Sequence, residues 1–330
     1  MKPQQPGGNA QVLRPARQGR DKVVRLAGSG RTKNLSLHSR MLTIDSACRW
    51  IKKGSLRVSV GTESEARTVV LKVGGSVLTG VKAYRHVAAY LKKRSEIAPR
   101  ERLVVVVSAQ KLLTTSLERR AHNILRRPSA RALDLLWATG ELRSVALLTL
   151  HLEAIGVQAV GLNVHETGLR LLDEAEPHRR RPAVRGLQLD RALAAFAVVV
   201  VPGFLAVRPD QAMVTLGRGG SDLSAVLLAL ELGNCRCELV KDVPGYFERD
   251  PRTHTSARHL SALSFEEALQ MAKDGCDLVQ AEALGAAAEA SLPLIVRSLD
   301  GRAPSTVVGA PRTEGQPEPE GEMTREGSCG

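Results

Sequence analysis

Short runs of consecutive apolar residues recur along the middle of the chain, and glycines or polar loops follow them. Five of these runs are long enough for a strand and rich in β-branched residues: TVVLKVGG, RLVVVVSAQ, VQAVGLN, AAFAVVVVPGFLAV and CRCELVKDVPGY. Strands that are apolar throughout, rather than at alternate positions, are typical of a sheet covered on both faces. The five runs therefore predict five buried strands.

Helical patterns separate these predicted strands. Apolar spacings of three and four residues predict a helix over about 81–93, and ALDLLWATGELRSVALLTLHLEAIG predicts one helix or a pair of helices. Buried strands that alternate with helices indicate an α/β fold, which we expect to be a three-layer sandwich with a mostly parallel central sheet. In such sheets, ligands bind where loops leave the carboxyl ends of the strands.

The two ends of the chain lack this pattern. Residues 1–66 contain 13 Lys or Arg and 4 Asp or Glu, so they carry +9 of the total net charge of +13. We expect a disordered basic extension over 1–66, a folded domain over 67–301 and a disordered tail over 302–330. The extension could contact nucleic acid or another anionic surface non-specifically, could be inert, or could reflect a start codon assigned too early, with Met41 as a later candidate.

Composition excludes several classes of protein. With 43% apolar and 25% charged residues, the chain is composed like a soluble globular protein. No apolar run approaches the roughly 18 to 20 residues of a spanning helix, and the N-terminus lacks the apolar stretch of a secretory signal. Five cysteines without a C-x-x-C pair argue against a disulfide framework and against a thiol metal site. We expect a reduced cytoplasmic protein with no membrane partner and no metal held by protein ligands.

The loop after the first predicted strand, KVGGSVLTG, combines Lys72, Gly74, Gly75 and Ser76. Glycines allow a close approach of the backbone to a phosphate, and a lysine supplies a point charge, so the loop is a candidate phosphate loop. It does not have the Walker A spacing. A plain strand-to-helix turn is the alternative.

A second glycine-rich loop, TLGRGGSD, interrupts an apolar stretch and is followed by an apolar helical pattern. Three glycines around Arg218 and beside Asp222 are typical of a loop that lets the backbone approach an anion, with a helix N-terminus adding unpaired N–H groups. The alternative is an internal salt bridge between Arg218 and Asp222.

Two further segments carry charge at predicted loops. In ATGELRSVALL, Glu141 follows Gly140 at a predicted helix start, where an acidic residue can simply complement the helix dipole. In KDVPGYFERDPR, acidic and basic residues surround a Pro-Gly turn that could also be an ordinary surface turn. Neither segment decides the function by itself.

Taken in order, these segments are similar to those of a known family. The series K-x-G-G-S, V-V-V-V-S-A, T-G-E-x-x-S-V-A-L-L, V-P-G-F, T-L-G-R-G-G-S-D and D-V-x-G-x-x-x-x-D-P-R resembles the catalytic domain of aspartate kinase over roughly residues 68–300. Aspartate kinases belong to the amino-acid kinase superfamily. The resemblance implies an amino-acid kinase catalytic domain over 67–301. It also implies phosphorylation of the side-chain carboxylate of L-aspartate from Mg·ATP, giving 4-phospho-L-aspartate, the first step towards lysine, threonine and methionine.

The resemblance also implies a role for individual residues. Lys72 and Asp222 would be catalytic, and Glu141, Arg218 and Ser108 would bind aspartate. The nucleotide would lie against the two glycine-rich loops and the D-P-R turn, through Gly74, Gly75, Ser76, Gly219, Gly220, Lys241, Asp242, Tyr246 and Arg252. ATP and Mg²⁺ are the implied cofactors, L-aspartate and ATP the implied ligands, and a homodimer remains open.

The chain departs from the family pattern at three places. Val77 stands where the family has a second hydroxyl, and SAQKLLTT lacks the usual glycines. Where the family has a phosphate-contacting lysine followed by His-Pro, this chain has Asp277, Gln280 and Ala281. Asp277 would repel ATP unless another cation substitutes, and Lys241, where the family often has Ser or Thr, is a candidate.

The segment SLPLIVRSLDG reads as the last strand, and the pair of regulatory domains that commonly follows in aspartate kinases is not expected here. Feedback inhibition by the usual route is therefore not expected either. Two alternatives to an aspartate kinase remain. One is a superfamily kinase that acts on another small carboxylate or phosphate, and the other is a non-catalytic binding protein that keeps the fold.

Overall fold

The computed structural model describes residues 67–171, 182–184, 187–217, 219–233, 235–251, 253–254, 256–300 and 304–309, with the backbone alone for 182–184 and 187. All of them belong to one compact unit, residues 63–330. The basic extension over 1–66 and most of the tail over 302–330 lie outside the described residues, so the expectations about them stay predictions.

The described residues form strands and helices in regular alternation over much of their length. The strands are β1 (Arg67–Val73), β2 (Glu101–Val107), β3 (Ala159–Gly161), β4 (Leu169–Leu171), β5 (Pro182–Val184), β6 (Val198–Pro202), β7 (Leu205–Val207), β8 (Met213–Thr215), β9 (Arg236–Lys241), β10 (Tyr246–Phe247), β11 (His259–Leu260), β12 (Ala262–Leu263), β13 (Leu294–Ser298) and β14 (Thr306–Val308). The helices are α1 (Val81–Ile97), α2 (Leu113–Ile124), α3 (Ala130–Ala154), α4 (Val164–Thr167), α5 (Leu187–Ala195), α6 (Gly220–Glu231), α7 (Phe265–Lys273) and α8 (Ala281–Glu289).

A central sheet of eight strands organises the domain. Its order is β12-β14-β13-β9-β1-β2-β6-β3, and neighbouring strands are parallel except β13 and β14. A smaller sheet has the order β5-β4-β7-β8, and β10 pairs with β11. The predicted α/β fold with a mostly parallel central sheet is confirmed.

Two separate cores lie on the two faces of the central sheet. Alternate residues of β2 divide between them, with Val105 in the core under α1 and α3 and Val104 in the core under α5 to α8. A strand must be apolar at every position to serve both cores, because successive side chains point to opposite faces. This explains the unbroken valine runs of the sequence and confirms the three layers.

The structure differs from the sequence analysis at several elements. The pattern left open as one helix or a pair is a single helix, α3, which Ser129 caps by accepting a hydrogen bond from the Ala132 N–H. Glu141 therefore lies in the middle of α3 and not at a helix start. Gly140 is tolerated there because it packs closely against the loop after β2, where an added Cβ would lie 3.1 Å from the Ala109 Cβ.

Two strand predictions are also corrected. The run AAFAVVVVPGFLAV forms two strands in different sheets, β6 and β7, because the chain turns at Gly203 and Phe204, the latter with φ of 65°. The folded domain also continues beyond residue 301, since β14 pairs with both β13 and β12. With only three residues, β14 was too short to stand out from the polar sequence around it.

Within the described part of the chain, no helix combines the length and the apolar character needed to cross a membrane. The cysteines described there, Cys235, Cys237 and Cys276, are free thiols.

Candidate active site

The carboxyl ends of β1, β2, β6 and β9 meet the N-terminus of α6 around an open cleft of about 280 Å³. Its lining is mostly polar and includes residues from α3 and from the loop between α7 and α8. The lining residues are Lys72, Ser108, Ala109, Thr114, Glu141, Phe204, Gly219, Gly220, Ser221, Asp222, Lys241, Asp277 and Gln280. The cleft lies where an open parallel sheet is expected to bind ligands.

Two lysines share one aspartate at the bottom of this cleft. In the pairing of β1 with β9, Lys72 lies opposite Leu239, so Lys72 and Lys241 project from the same face of the sheet. Asp222, in the first turn of α6, reaches both. Its Oδ1 is 2.7 Å from the Lys72 Nζ, and its Oδ2 accepts a hydrogen bond of 2.8 Å from the Lys241 Nζ. All three side chains are buried.

The charges of this cluster follow from its geometry. Burial acts to raise the pKa of the Asp222 carboxyl, but the ammonium groups of Lys72 and Lys241 outweigh burial and lower that pKa to about 2. Burial and repulsion from Lys72 lower the pKa of Lys241 to about 8, and attraction to Asp222 limits the fall. At neutral pH Asp222 is a carboxylate that orients the two ammonium groups and has no tendency to accept a proton.

The loop before α6 brings the helix N-terminus close to the lysines. Gly219 precedes α6 in the left-handed conformation, with φ of 78°, and an added Cβ would lie 2.1 Å from the Gln280 Cγ. The Ser224 hydroxyl donates to the Gly220 carbonyl and accepts from the Phe204 N–H, which ties the first turn of α6 to the loop after β6. The positive end of the helix dipole therefore faces the cleft.

The loop after β1 is packed more tightly than a free phosphate loop. An added Cβ on Gly75 would lie 2.6 Å from the Ala109 carbonyl oxygen, so only glycine fits between the loops after β1 and β2. The Gly74 N–H donates to the Val240 carbonyl at 3.1 Å, and the Ser76 hydroxyl donates to the Asp242 carboxylate at 2.9 Å. These bonds join the ends of β1 and β9 and hold Lys72 in place.

Glu141 provides a buried carboxyl group on the α3 side of the cleft. Its side chain is 3% exposed, and its Oε2 has no hydrogen-bond partner among the described residues. Burial raises its pKa to about 8, although the Ala109 backbone N–H and the charge of Lys72 act to lower it. Such a group is protonated in the empty cleft at neutral pH and becomes a carboxylate when a cation binds beside it.

A match to a family model shows which protein family this domain belongs to. The model described as "Amino acid kinase family" matches residues 67–298, which includes every lining residue of the cleft. The chain belongs to the amino acid kinase family. The resemblance drawn from the sequence motifs is thereby confirmed.

Relatives within the amino acid kinase family include curated aspartokinases. The aspartokinase of Geobacillus stearothermophilus is 35% identical over 230 residues, which cover 70% of this chain and 56% of that protein. The aspartokinase of Thermus thermophilus is 36% identical over 240 residues, covering 73% and 58% respectively. This chain therefore spans somewhat more than half the length of these relatives.

The solved structures that are similar to this chain also include aspartate kinases. The aspartate kinase of Synechocystis superposes with a TM-score of 0.65 at 34% identity, covering 74% of this chain and 40% of that one. E. coli aspartokinase III in complex with aspartate and ADP superposes with a TM-score of 0.62 at 27% identity, covering 73% and 64%. Uridylate kinase from Archaeoglobus fulgidus, with a TM-score of 0.52 at 19% identity, shares the fold.

Several residues singled out by the amino acid kinase motifs do come together. Lys72, Ser108, Glu141, Asp222 and Lys241 all line the cleft, as do Gly219 and Gly220. The Gly220 N–H, however, donates to the Gly217 carbonyl, as the Gly74 N–H does to Val240, so neither is free for a phosphate in this structure. At Gly220 the absence of a side chain allows close packing instead, because an added Cβ would lie 2.8 Å from the Leu216 Cβ.

Other predicted residues lie elsewhere. Gly74, Gly75, Ser76 and Asp242 support the cleft without lining it. Tyr246, in β10, is 1% exposed and packs in the core on the side of the central sheet covered by α5 to α8. Arg218 and Arg252 lie outside the described residues, so their roles stay predictions.

The structure also adds residues that the motifs did not assign. Thr114, at the start of α2, and Ser221, in the first turn of α6, bring hydroxyl groups to the lining. Both lie in segments of the sequence that were singled out, SAQKLLTT and TLGRGGSD. Neither segment shows by itself which hydroxyl faces the cleft, since that depends on how α2 and α6 are placed.

Proposed function

We propose that this chain phosphorylates the side-chain carboxylate of L-aspartate from Mg·ATP, giving 4-phospho-L-aspartate. The supporting observation is that one cleft combines buried ammonium groups with a buried carboxyl group that has one oxygen without a hydrogen-bond partner among the described residues. The ammonium groups of Lys72 and Lys241 suit a phosphate, and the Glu141 carboxyl suits the ammonium group of an amino acid. Aspartate kinases among the relatives and solved structures, one in complex with aspartate and ADP, support the same substrates.

The chemistry needs charge neutralisation more than a base. A carboxylate with an ordinary pKa of about 3.9 is already ionised at neutral pH, so it can attack phosphorus without losing a proton. Catalysis then comes from positioning two anions together and from stabilising the charge that develops on the transferred group. Lys72 fits this role because Asp222 fixes its Nζ at the carboxyl end of β1, beside the N-terminus of α6.

The amino acid would be recognised through both of its charged groups. Glu141 would take the ammonium group, while the Ser108 hydroxyl and, as predicted from its loop, Arg218 would bind carboxylate oxygens. Binding of the ammonium group would lower the pKa of Glu141 and release its proton, because a cation favours the ionised carboxylate. A substrate without an ammonium group would leave Glu141 buried without a partner.

The nucleotide would lie along the helix terminus and the lysines. Gly219 suits a position beside the nucleotide, because any side chain there would collide with Gln280 at the edge of the cleft. Mg²⁺ would bring a charge of +2 to the phosphate oxygens, which supply most of its ligands in such sites together with water. We also propose that the product enters the routes to lysine, threonine and methionine.

The test is turnover of the purified protein with Mg·ATP, trapping the acyl phosphate with hydroxylamine. L-aspartate should give hydroxamate, while succinate and N-acetyl-aspartate, which lack the ammonium group, should react at least about 100-fold more slowly. Glu141→Gln should remove most of this discrimination. The matched variant Glu153→Gln, exposed on the same helix, should keep it.

Other results would support the alternatives. Turnover with a different small carboxylate or phosphate, and none with aspartate, would reassign the substrate within the family. Binding of ATP without turnover of any acceptor would support a non-catalytic protein, which the carboxylate of Asp277 in the cleft favours.

A further inference from the structure

The ionisable side chains that line the cleft are balanced in charge. Among the described lining residues they are Lys72 and Lys241 on the positive side and Asp222 and Asp277 on the negative side, with Glu141 protonated when the cleft is empty. Asp222 pairs with both lysines, so Lys72, Lys241 and Asp222 form one cluster with a net charge of +1. The attraction of this lining for an anion therefore depends on the presence of the second lysine, Lys241, beside Lys72, and Asp277 opposes it.

Lys241 is placed to act on a ligand as well as on Asp222. It ends β9, projects from the same face of the sheet as Lys72 and lines the cleft. An ammonium group has three N–H donors, and within the described part of the chain Lys241 gives one of them to Asp222. Two donors therefore remain for phosphate oxygens.

Asp277 reaches the cleft from a different element, the loop between α7 and α8. Its side chain is exposed and has no ion-pair partner among the described residues. A free carboxylate in the same cleft weakens the binding of phosphates, and more so where water is partly excluded.

We infer that Lys241 is the cation on which nucleotide binding in this cleft depends, and that Asp277 opposes it and limits the affinity. The inference rests on the proposed function for the identity of the anion, a nucleoside polyphosphate. Removing Lys241 leaves the described lining with one positive and two negative charges, whereas removing the charge of Asp277 leaves two positive and one negative. The two substitutions should therefore change nucleotide affinity in opposite directions.

The experiment measures ADP binding by titration calorimetry in EDTA, so that no metal ion screens Asp277. Lys241→Met should weaken binding at least about 10-fold, because it removes the net positive charge of the cluster formed by Lys72, Lys241 and Asp222. Asp277→Asn should tighten binding about 3-fold or more, and the double variant should lie between the two single variants. Lys273→Met, which removes an exposed lysine at the end of α7 outside the cleft, is the matched control and should stay within 2-fold of wild type.

Thermal unfolding of each variant shows whether it folds. If Lys241→Met does not fold, Asp277→Lys in the unaltered Lys241 background decides, and it should tighten ADP binding more than Asp277→Asn does. Folded Lys241→Met protein that binds ADP within 2-fold of wild type would overturn the inference. So would weaker binding by Asp277→Asn or by Asp277→Lys.

Failure of this inference can be told apart from failure of the proposed function. Wild-type protein that binds ADP with the predicted response to both substitutions, but forms no hydroxamate from aspartate, keeps the inference and loses the proposed substrate. Protein that phosphorylates aspartate while ADP affinity ignores both substitutions loses the inference alone. Wild-type protein that does not bind ADP, either in EDTA or with Mg²⁺, loses both.

Discussion

Two buried carboxylates of this domain are surrounded by cations, and they lie at different places along the central sheet, one on helix α6 and the other on strand β9. Asp222 is held by two lysines at the carboxyl ends of β1 and β9. Glu238, three residues before Lys241 on β9, is held by arginines from α1, β9 and β13. Both carboxylates are almost inaccessible, at 3% and 2% exposure. Burial and the number of cations therefore do not separate a functional cluster from a structural one.

The difference lies in how completely the hydrogen bonds are used. Arg94 donates to both oxygens of Glu238, at 2.7 and 2.9 Å, and its Nε donates to Glu101. Arg236 bridges the same two carboxylates at 2.8 Å each. Planar guanidinium groups fill carboxylate lone pairs in fixed directions, so this cluster locks α1 to β2 and β9 and leaves little for a ligand.

The cluster at the cleft is less complete. A lysine ammonium group has three donors and no fixed plane, and Asp222 uses only part of those of Lys72 and Lys241. The remaining donors face a cleft beside a helix N-terminus and beside Glu141, whose Oε2 has no hydrogen-bond partner among the described residues. The comparison teaches that unused hydrogen-bonding capacity beside an open space, rather than a perturbed charge alone, indicates the reactive cluster.

The largest effect that would separate the two clusters is expected from Lys72→Met. Turnover should fall about 10³-fold or more, equivalent to about 4 kcal/mol of transition-state stabilisation, because the main cation at the reacting phosphate is lost. The unfolding free energy should change little, since Asp222 keeps its bond to Lys241. Steady-state hydroxamate assays and urea unfolding measure the two quantities.

Lys82→Met removes an exposed lysine of α1 and serves as the control for that substitution. It should leave turnover unchanged. A Lys72→Met protein that retains turnover within tenfold of wild type would show that the cluster at the cleft is structural, like the one around Glu238.

Glu238→Gln is expected to lower stability and to leave turnover nearly unchanged, which is the opposite of the result expected from Lys72→Met. Three arginines would lose their shared carboxylate in a partly buried place, so the unfolding free energy should fall by about 3 kcal/mol or more. The kcat/KM of the folded protein should stay within about threefold of wild type. Urea unfolding measures the loss, with the exposed Glu231→Gln as the control. A stable but inactive Glu238→Gln protein would contradict the structural role.

Glu141→Gln tests the cluster at the cleft through the pH dependence of the unfolding free energy. The folded-state pKa of Glu141 is about 8, above its ordinary value of 4.5, so the folded protein holds this proton more tightly than the unfolded chain does. The resulting stabilisation is complete below pH 4.5 and is lost as pH rises from there through 8. Without ligand, the variant should therefore gain stability relative to wild type between pH 5 and pH 8.5, as measured by unfolding at each pH. An unchanged difference would mean that Glu141 is already ionised in the empty cleft.

The smallest effect is expected from Gly219→Ala. The left-handed backbone costs an alanine about 1 to 2 kcal/mol, and the added Cβ displaces Gln280, so both stability and kcat/KM should fall modestly. Gly285→Ala is the matched control, because Gly285 lies inside α8 with open space around it and alanine favours a helix. The control should gain stability where Gly219→Ala loses it, as urea unfolding of both would show.

Much of the fold could be predicted because the relevant signal is local. Valine runs predict the buried strands, and the loops after β1, β8 and β9 carry the glycines and charged residues that identify the family. The position of Glu141 was wrong because Gly140 suggests a break, whereas in the structure it allows α3 to pack against Ala109. The short strand β14 depends on pairing with β12 and β13, which no local pattern reports.

The details of the site depend on contacts between distant parts of the chain. Lys72, Asp222 and Lys241 could each be singled out, but their common arrangement around one carboxylate depends on the register of β1 with β9 and on the placement of α6. The bonds of Gly74 and Gly220 to carbonyl groups were not predictable either, since they require the loops to be packed together. The cluster around Glu238 went unnoticed because Arg94 and Glu238 are 144 residues apart.

The central claim is that a carboxylate of aspartate receives the phosphoryl group in the cleft that contains Lys72. The most direct measurement uses L-aspartate labelled with ¹⁸O in both oxygens of the side-chain carboxylate, with Mg·ATP and ³¹P NMR of the product. The account predicts an acyl phosphate whose phosphorus signal shows the isotope shift of one bridging ¹⁸O, and no such signal with Lys72→Met. ATP consumption without a labelled acyl phosphate, or the same labelled product from Lys72→Met, would contradict it.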